Sequence, residues 1–287
     1  MIPAHTHGSP SSGVSSDLIA LLPVLVAIAV YLAATAIGRQ RGRSWPWFRT
    51  VFWIAGVLAA AAGFIGPLAA AAHESFVAHM ATHLLVGMAA PLLLVLSAPM
   101  TLALRTLSVD PARRLSWLLR SPLARVLTHP VVAAALNVGG LWVLYRTPLY
   151  ELMQRDVLVH LLVMLHVLAA GYLYTYALVG IDPSPHRSGF VRRSVVLVSS
   201  LAAHGILAKL LYAHPPPGVP VADAHTGARL MFTGGDAVDF VLMVLLCAEW
   251  YRATGRRLGA TTTTMSVVRR TVTGARGGSR RTKGASS

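Results

Sequence analysis

The chain has 287 residues, of which 55% are hydrophobic and 12% are charged, and its mean hydropathy is +0.60. This composition is typical of a polytopic membrane protein and leaves no room for a sizeable soluble domain. The formal net charge of +15 does not indicate a nucleic-acid partner, because the basic residues cluster at the ends of apolar segments and in the C-terminal tail. We therefore expect the lipid bilayer as a partner and no nucleic acid.

Seven segments of the sequence contain the roughly 20 apolar residues that a helix needs to cross a bilayer. The expected fold class is an all-α polytopic membrane protein with seven transmembrane helices. We divide the chain into a short external N-terminal arm at residues 1–16, a seven-helix membrane domain at 17–254 and a disordered basic cytoplasmic tail at 255–287. The predicted spans cover approximately residues 17–37, 51–72, 76–104, 130–145, 156–179, 190–212 and 234–250.

Prolines and glycines predict where these spans are irregular. Pro91 and Pro99 are expected to kink the third span, because proline removes a helical hydrogen bond and its ring clashes with the preceding turn. The proline-rich stretch from His214 to His225 predicts an extended external loop. After it, Gly234-Gly235-Asp236 predicts the start of the seventh span.

Lysine and arginine residues are distributed unequally between the two sides that the seven spans define. One side, which includes the loop after the first span and the C-terminal tail, carries 21 of them, and the other carries three, Arg146, Arg155 and Arg229. Cytoplasmic loops carry the excess of basic residues in membrane proteins. The N-terminus is therefore expected outside and the C-terminus in the cytoplasm, which places most of the 12 histidines at the outer side.

The start of the third span carries the most distinctive pattern in the sequence. His79 and His83 are four residues apart, so their side chains lie one turn apart on the same sector of the helix, and Met80 joins that sector. Two imidazoles and a thioether suit a soft or borderline transition metal, copper above all. The alternative is that these histidines only pack at the membrane interface.

Further candidate metal ligands lie on other spans, because one helix rarely surrounds an ion by itself. His160 on the fifth span lies at the same outer depth as the third-span pair. His166 and His204 lie near the middle of the membrane, where a histidine is costly and indicates a functional site with a partner.

The seventh span contributes a stripe of side chains with helical spacing. Asp236, Asp239, Met243 and Cys247 follow each other at intervals that place them on one face. Asp236 is the candidate metal ligand of this stripe, because the two aspartates at its start would attract a cation to the entrance of the span. A polar helix start followed by core residues explains the same pattern.

Other kinds of site are not indicated. Cys247 is the single cysteine, which excludes an intramolecular disulfide and a paired-thiolate metal site. The sequence also contains no Gly-x-x-x-x-Gly-Lys phosphate-binding loop, no Ser/His/Asp catalytic signature and no paired carboxylates of a hydrolase. We therefore do not expect an enzyme.

The segment from His73 to Arg105 resembles the bacterial CtaG-type cytochrome c oxidase assembly factor family. The resemblance rests on His79-Met80 followed by His83, and on the run Ala90-Pro91-Leu-Leu-Leu-Val-Leu-Ser-Ala-Pro99. It extends over about residues 50–252 through features that occur in the order of the family: Tyr150, the span from His160 to His166, the proline-rich loop after His214, and Gly234-Gly235-Asp236.

This resemblance implies a seven-span protein of the bacterial plasma membrane that is needed to build the copper-containing catalytic subunit of a haem-copper oxidase. The partners that it implies are an oxidase subunit and a copper ion. The chain departs from the family in the seventh span, where Asp236-Ala-Val-Asp239-Phe replaces the Asp-Gln pair that the family would have.

The leading hypothesis is a membrane assembly factor that holds copper through outward-facing His and Met residues and delivers it to the oxidase. One alternative is a b-type membrane cytochrome, with haem bound by mid-membrane histidines such as His166 and His204. The other is a permease for copper or another small cation, with the stripe from Asp236 to Cys247 as its path.

Overall fold

A computed structural model describes residues 11–183 and 185–278, with side chains for residues 21–183 and 185–254. Every regular element in this part of the chain is helical, which confirms the all-α fold class. The chain divides into two units, Met1–Met243 and Val244–Ser287. The candidate site lies wholly within the first unit.

The first half of the chain contains ten of the helical segments. They are α1 (Ser11–Gln40), α2 (Trp47–Ala61), α3 (Pro67–Glu74), α4 (Phe76–Leu84), the π turn π1 (Leu85–Ala89), α5 (Ala90–Leu96), α6 (Pro99–Thr106), α7 (Val109–Leu119), α8 (Pro122–Leu127) and α9 (Pro130–Ala134). The second half contains π2 (Ala135–Gly139), α10 (Gly140–Arg146), α11 (Leu149–Arg155), α12 (Val157–Val179), α13 (Phe190–Ala213) and α14 (Val221–Gly278).

Five stretches of the described residues are long and apolar enough to cross a membrane: Leu21–Gln40, Phe76–Thr106, Val157–Val179, Phe190–Ala213 and Val221–Thr254. They make the chain a multi-pass membrane protein. The predicted second and fourth spans coincide with two shorter apolar helices, Trp47–Ala61 and Pro130–Arg146. The count of seven spans therefore stays a prediction, as do the boundaries of the terminal arm and tail, which lie partly outside the described residues.

The third span is interrupted where the prolines predict it to be. The turn before Pro91 is π1, and its wider geometry accommodates a residue that has no N–H to donate. Pro99 begins a separate helix, α6, after Ala98 adopts a left-handed conformation with a φ of 52°. The predicted irregularities at both prolines are confirmed.

Two aspartates from distant parts of the chain cap helix starts in the third span: Asp223 caps α4, where the span begins, and Asp182 caps α6, after the break at Ala98. The carboxylate of Asp223 accepts hydrogen bonds from the Phe76 N–H at 2.6 Å and the Ser75 hydroxyl at 3.1 Å. The buried carboxylate of Asp182 accepts hydrogen bonds from the Thr101 N–H at 2.7 Å and from the Thr101 hydroxyl at 2.6 Å. Each carboxylate satisfies donors that the first turn of a helix cannot pair internally.

Several contacts join residues that the sequence places on the same side of the membrane. At one end, which we call the inner end, Arg41 donates to the Thr106 carbonyl at 2.7 Å, and Arg192 lies 3.4 Å from His129. Asp223 caps α4 at Phe76, and the rings of His73 and His160 pair at 4.8 Å; the sequence places all four residues at the other end, which we call the outer end. The cytoplasmic placement of the inner end stays a prediction from its basic residues.

The start of the last span differs from the prediction. The helix α14 begins at Val221, directly after Pro220, so the predicted extended loop ends earlier and His225 is helical. The residues Gly234-Gly235-Asp236 lie well inside α14 and do not open it. Glycine weakens a helix, but here it allows close packing: a Cβ on Gly235 would lie 2.4 Å from the His204 ring.

We predict that Asp182→Ala lowers the thermal stability of the purified protein by about 1–2 kcal/mol, because it removes the cap of α6. Thermal unfolding in detergent measures the effect. Asp110→Ala is the matched control, since Asp110 is an exposed aspartate in the first turn of α7. Equal melting temperatures for the two variants would contradict this role of Asp182.

Reporter fusions test the orientation. A reporter inserted at Gly218, in the loop between α13 and α14, is expected to be external, and one fused after Arg257 is expected to be cytoplasmic. The reason is the excess of basic residues at the inner end. A cytoplasmic signal from the Gly218 insertion would reverse the assignment of the two ends.

Candidate functional site

A small polar cavity lies among the helices of the first unit. Its volume is about 20 Å³, which is enough for one water molecule or one ion. The third to seventh predicted spans each contribute to its wall. The lining residues are His83, Met88, Asn137, Val138, Leu141, Tyr174, Ser200, His204 and Asp239.

Both π turns border this polar cavity. Met88 belongs to π1, and Asn137 and Val138 belong to π2. A π turn inserts an extra residue into a helix and changes which side chains face a neighbour, and such turns are frequent at functional sites. The interruptions of the third and fourth spans therefore coincide with the site.

Two histidines face each other across the polar cavity. The ring centres of His83 and His204 are 6.1 Å apart, and their planes differ by 30°. Both side chains are buried, and within the described part of the chain the Nε2 atom of each has no hydrogen-bond partner. A buried polar atom without a partner costs about 1–3 kcal/mol, so these two nitrogens favour a ligand between them.

Asp239 supplies a carboxylate to the same cavity. Its side chain is only 4% exposed, whereas Asp236, the candidate ligand from the sequence, is exposed. The two residues are three positions apart on α14, so the sequence identifies the acidic stripe without showing which member faces the histidines. The rotation of α14 against α13 places Asp239, and not Asp236, at the polar cavity.

The other third-span candidates do not line the polar cavity. His79 shares a hydrogen bond of 2.9 Å between its Nε2 atom and the Tyr145 hydroxyl, and the rings of Phe76 and Tyr150 pack around it. Met80 is fully buried in an apolar cluster. The sector that the sequence assigns to one metal shell is thus divided: His79 and Met80 meet the cluster that contains Phe76, Tyr145 and Tyr150, whereas His83 lines the polar cavity.

The two fifth-span candidates also lie elsewhere. The ring centre of His160 is 4.8 Å from that of His73, at the outer end of the bundle. His166 is exposed, and its Nε2 atom lies 3.1 Å from the Leu136 carbonyl within π2. Of the predicted histidines, His83 and His204 are the two that the structure brings to one cavity.

The chemistry of the polar cavity is that of a site for one small polar guest. Two imidazoles, a carboxylate and the hydroxyls of Tyr174 and Ser200 surround it. Within the described residues, no group of three or more His, Cys, Asp and Glu side chains is arranged to hold a metal ion. The donor set thus consists of an imidazole pair with a nearby carboxylate, which differs from a closed structural metal site.

Sequence reasoning missed several of these residues. Asn137, Tyr174 and Ser200 are polar residues within predicted membrane spans, and Met88 follows the recognised histidine motif. Polar residues within a membrane span are the signal that could have identified them, because such residues usually face the interior of the bundle.

Comparison with known proteins gives the family. Residues 29–253 match the model of the cytochrome c oxidase caa3 assembly factor family, Caa3_CtaG. The chain belongs to this family. The match includes every residue of the polar cavity and confirms the resemblance that the histidine motif of the third span suggested.

Relatives of this family member occur in mycobacteria. Uncharacterized proteins of Mycobacterium bovis and Mycobacterium tuberculosis are 32% identical to the chain over 257 residues, and one of Mycobacterium leprae is 30% identical. These alignments cover 82% of the chain and 39% of each relative, so the chain spans well under half the length of the curated relatives it matches. No solved structure matches the chain significantly.

We predict that Gly235→Ala disturbs the polar cavity, because the added methyl group would lie 2.4 Å from Cε1 and 2.9 Å from Nδ1 of His204. The cost is expected to be about 1–3 kcal/mol in thermal unfolding, as for other overpacked sites. Gly139→Ala is the control, since no atom lies within 4 Å of its added Cβ. A Gly235→Ala protein as stable as the Gly139→Ala protein would show that α13 and α14 do not pack this closely.

Proposed function

We propose that this family member is an assembly factor for a haem-copper cytochrome c oxidase in the bacterial plasma membrane. In this proposal it acts as a carrier and not as an enzyme, with copper as its cargo and an oxidase subunit as the receiver. Membership of the family supports the link to oxidase assembly. The unpartnered Nε2 atoms of His83 and His204 are the observation that supports a copper cargo.

An imidazole pair suits a cargo that must be released again. Imidazole nitrogen binds copper, and two such ligands bind Cu(I) less tightly than several thiolates would. His83 and His204 come from different helices, so a small shift of one helix changes the distance between them. Binding and release can therefore be coupled to a movement of the bundle.

Asp239 supports a cationic guest electrostatically. A positive charge inside an apolar bundle is unfavourable unless an opposite charge lies close to it. The carboxylate of Asp239 lines the polar cavity and can balance the charge of one cuprous ion. This explains in physical terms why an acidic side chain is buried among membrane-spanning helices.

The alternative functions have less support. A haem group is far larger than the 20 Å³ of the polar cavity, and His166 is directed to the Leu136 carbonyl and not toward His204. For a permease, the exposed position of Asp236 removes the first member of the expected path from the cavity. Copper uptake into proteoliposomes would distinguish a permease from a carrier.

We predict that His83→Ala and His204→Ala each abolish copper binding at this site and strongly reduce oxidase assembly, because each removes one of the two facing imidazoles. The measurements are the copper content of the purified protein and the oxidase activity of membranes from cells that depend on the variant. His166→Ala is the matched control, as His166 lies on a neighbouring span outside the polar cavity.

Protein abundance and elution from a sizing column separate loss of binding from loss of folding. The proposal is wrong if the wild-type protein binds no copper, or if His83→Ala and His204→Ala keep both copper and oxidase activity. A loss in His166→Ala as large as that in His204→Ala would move the site away from the cavity.

A further inference from the structure

Five histidines form a series that leads from the outer end of the bundle to the polar cavity. His73 is exposed, His160 is half-buried, and His79, His83 and His204 are buried. Only His83 and His204 line the cavity, so the copper-carrier proposal leaves the first three without a role.

The outer pair combines access with two metal-binding side chains. His73 lies in the last turn of α3 and His160 in the first turn of α12, and their ring centres are 4.8 Å apart with planes at 33°. Residues far apart in the sequence thus place two imidazoles side by side where ions from outside arrive first. Paired imidazoles suit copper, as in the cavity below.

His79 lies between the outer pair and the cavity. It follows His73 across the short break between α3 and α4, and it precedes His83, whose ring faces that of His204, on α4. His79 and His83 are one helical turn, about 6 Å, apart along α4. The Tyr145 hydroxyl orients the His79 ring through their 2.9 Å hydrogen bond.

We propose that His73 and His160 form an outer entry site for copper, from which the ion passes by way of His79 to His83 and His204. This inference rests on the proposed copper-carrier function. The transfer is an exchange of ligands: the ion gains a bond to the next imidazole nitrogen as it loses one to the previous residue. Its oxidation state does not change, so no oxidant or reductant is needed.

The order of exposure gives the series a direction. An ion at the outer pair is partly hydrated, whereas an ion in the cavity has lost its water and is balanced by the buried Asp239 carboxylate. Because losing the whole hydration shell in one step is costly, intermediate ligands lower the barrier to entry. The outer pair thus supplies the first ligands, and the cavity supplies the final ones.

The experiment measures how much Cu(I) the full-length protein takes up in detergent from a chromophoric Cu(I) chelator, under reducing and anaerobic conditions. Wild-type protein is expected to bind about two ions per chain, one at each imidazole pair. His73→Ala and His160→Ala should each lose the outer ion and load the cavity more slowly. The double variant His83→Ala/His204→Ala should keep only the outer ion.

His214→Ala is the matched control, because His214 is an exposed histidine at the outer end that lies outside the pair. It should bind and load copper as the wild-type protein does. In cells, raising external copper should restore oxidase activity to His73→Ala and His160→Ala but not to the double variant His83→Ala/His204→Ala. A purely structural role of the outer pair would not produce rescue by copper.

The outcomes separate the two proposals. If His73→Ala and His160→Ala bind as much copper as the wild type and load it as fast, the entry site is wrong while the cavity proposal stands. If the wild-type protein binds no copper, both proposals are wrong. Loss of binding in His214→Ala equal to that in His73→Ala would also overturn the entry site.

Discussion

Backbone polar groups inside a bilayer must find partners within the protein, because hydrocarbon offers none. This chain interrupts two of its membrane spans with π turns, and it also starts α4 and α6 at breaks, after Ser75 and after the left-handed Ala98. The two breaks leave helix starts that need such partners, and Asp223 in the first turn of α14 and Asp182 between α12 and α13 supply them. The irregular third span is stable because carboxylates from the rest of the fold complete its hydrogen bonds.

The same irregular spans form the walls of the polar cavity. A regular helix would present a continuous apolar face to its neighbours, whereas the π turns direct Met88 and Asn137 toward His83 and His204. Close backbone packing at Gly235 then brings α14 against the His204 ring. The cavity is small because five segments converge on it, and its size limits the guest to a single ion or water molecule.

Burying two imidazoles and a carboxylate in an apolar bundle is unfavourable in terms of stability alone. A protein whose role was only to hold a partner at the membrane surface would gain nothing from burying these three side chains. Under the copper-carrier proposal, the unpaired nitrogens of His83 and His204 are the binding groups, and the exposed outer pair of His73 and His160 gives them a connection to the outside. The distribution of histidines along the membrane normal then follows from the path of the cargo.

The sequence by itself determined the class of protein, the approximate positions of the apolar helices, the breaks at Pro91 and Pro99, and the family resemblance. These features depend on local composition and spacing, which are readable along one chain. It did not determine the start of α14, because tertiary packing stabilises the helix through Gly234 and Gly235 despite their low helical propensity. Nor could it separate His83 from His79, or Asp239 from Asp236, since helical spacing shows which residues share a face but not which neighbour that face meets. Only the tertiary structure, through the rotation of each helix against the next, brought His83, His204 and Asp239 to one cavity and left Met80 in the apolar core.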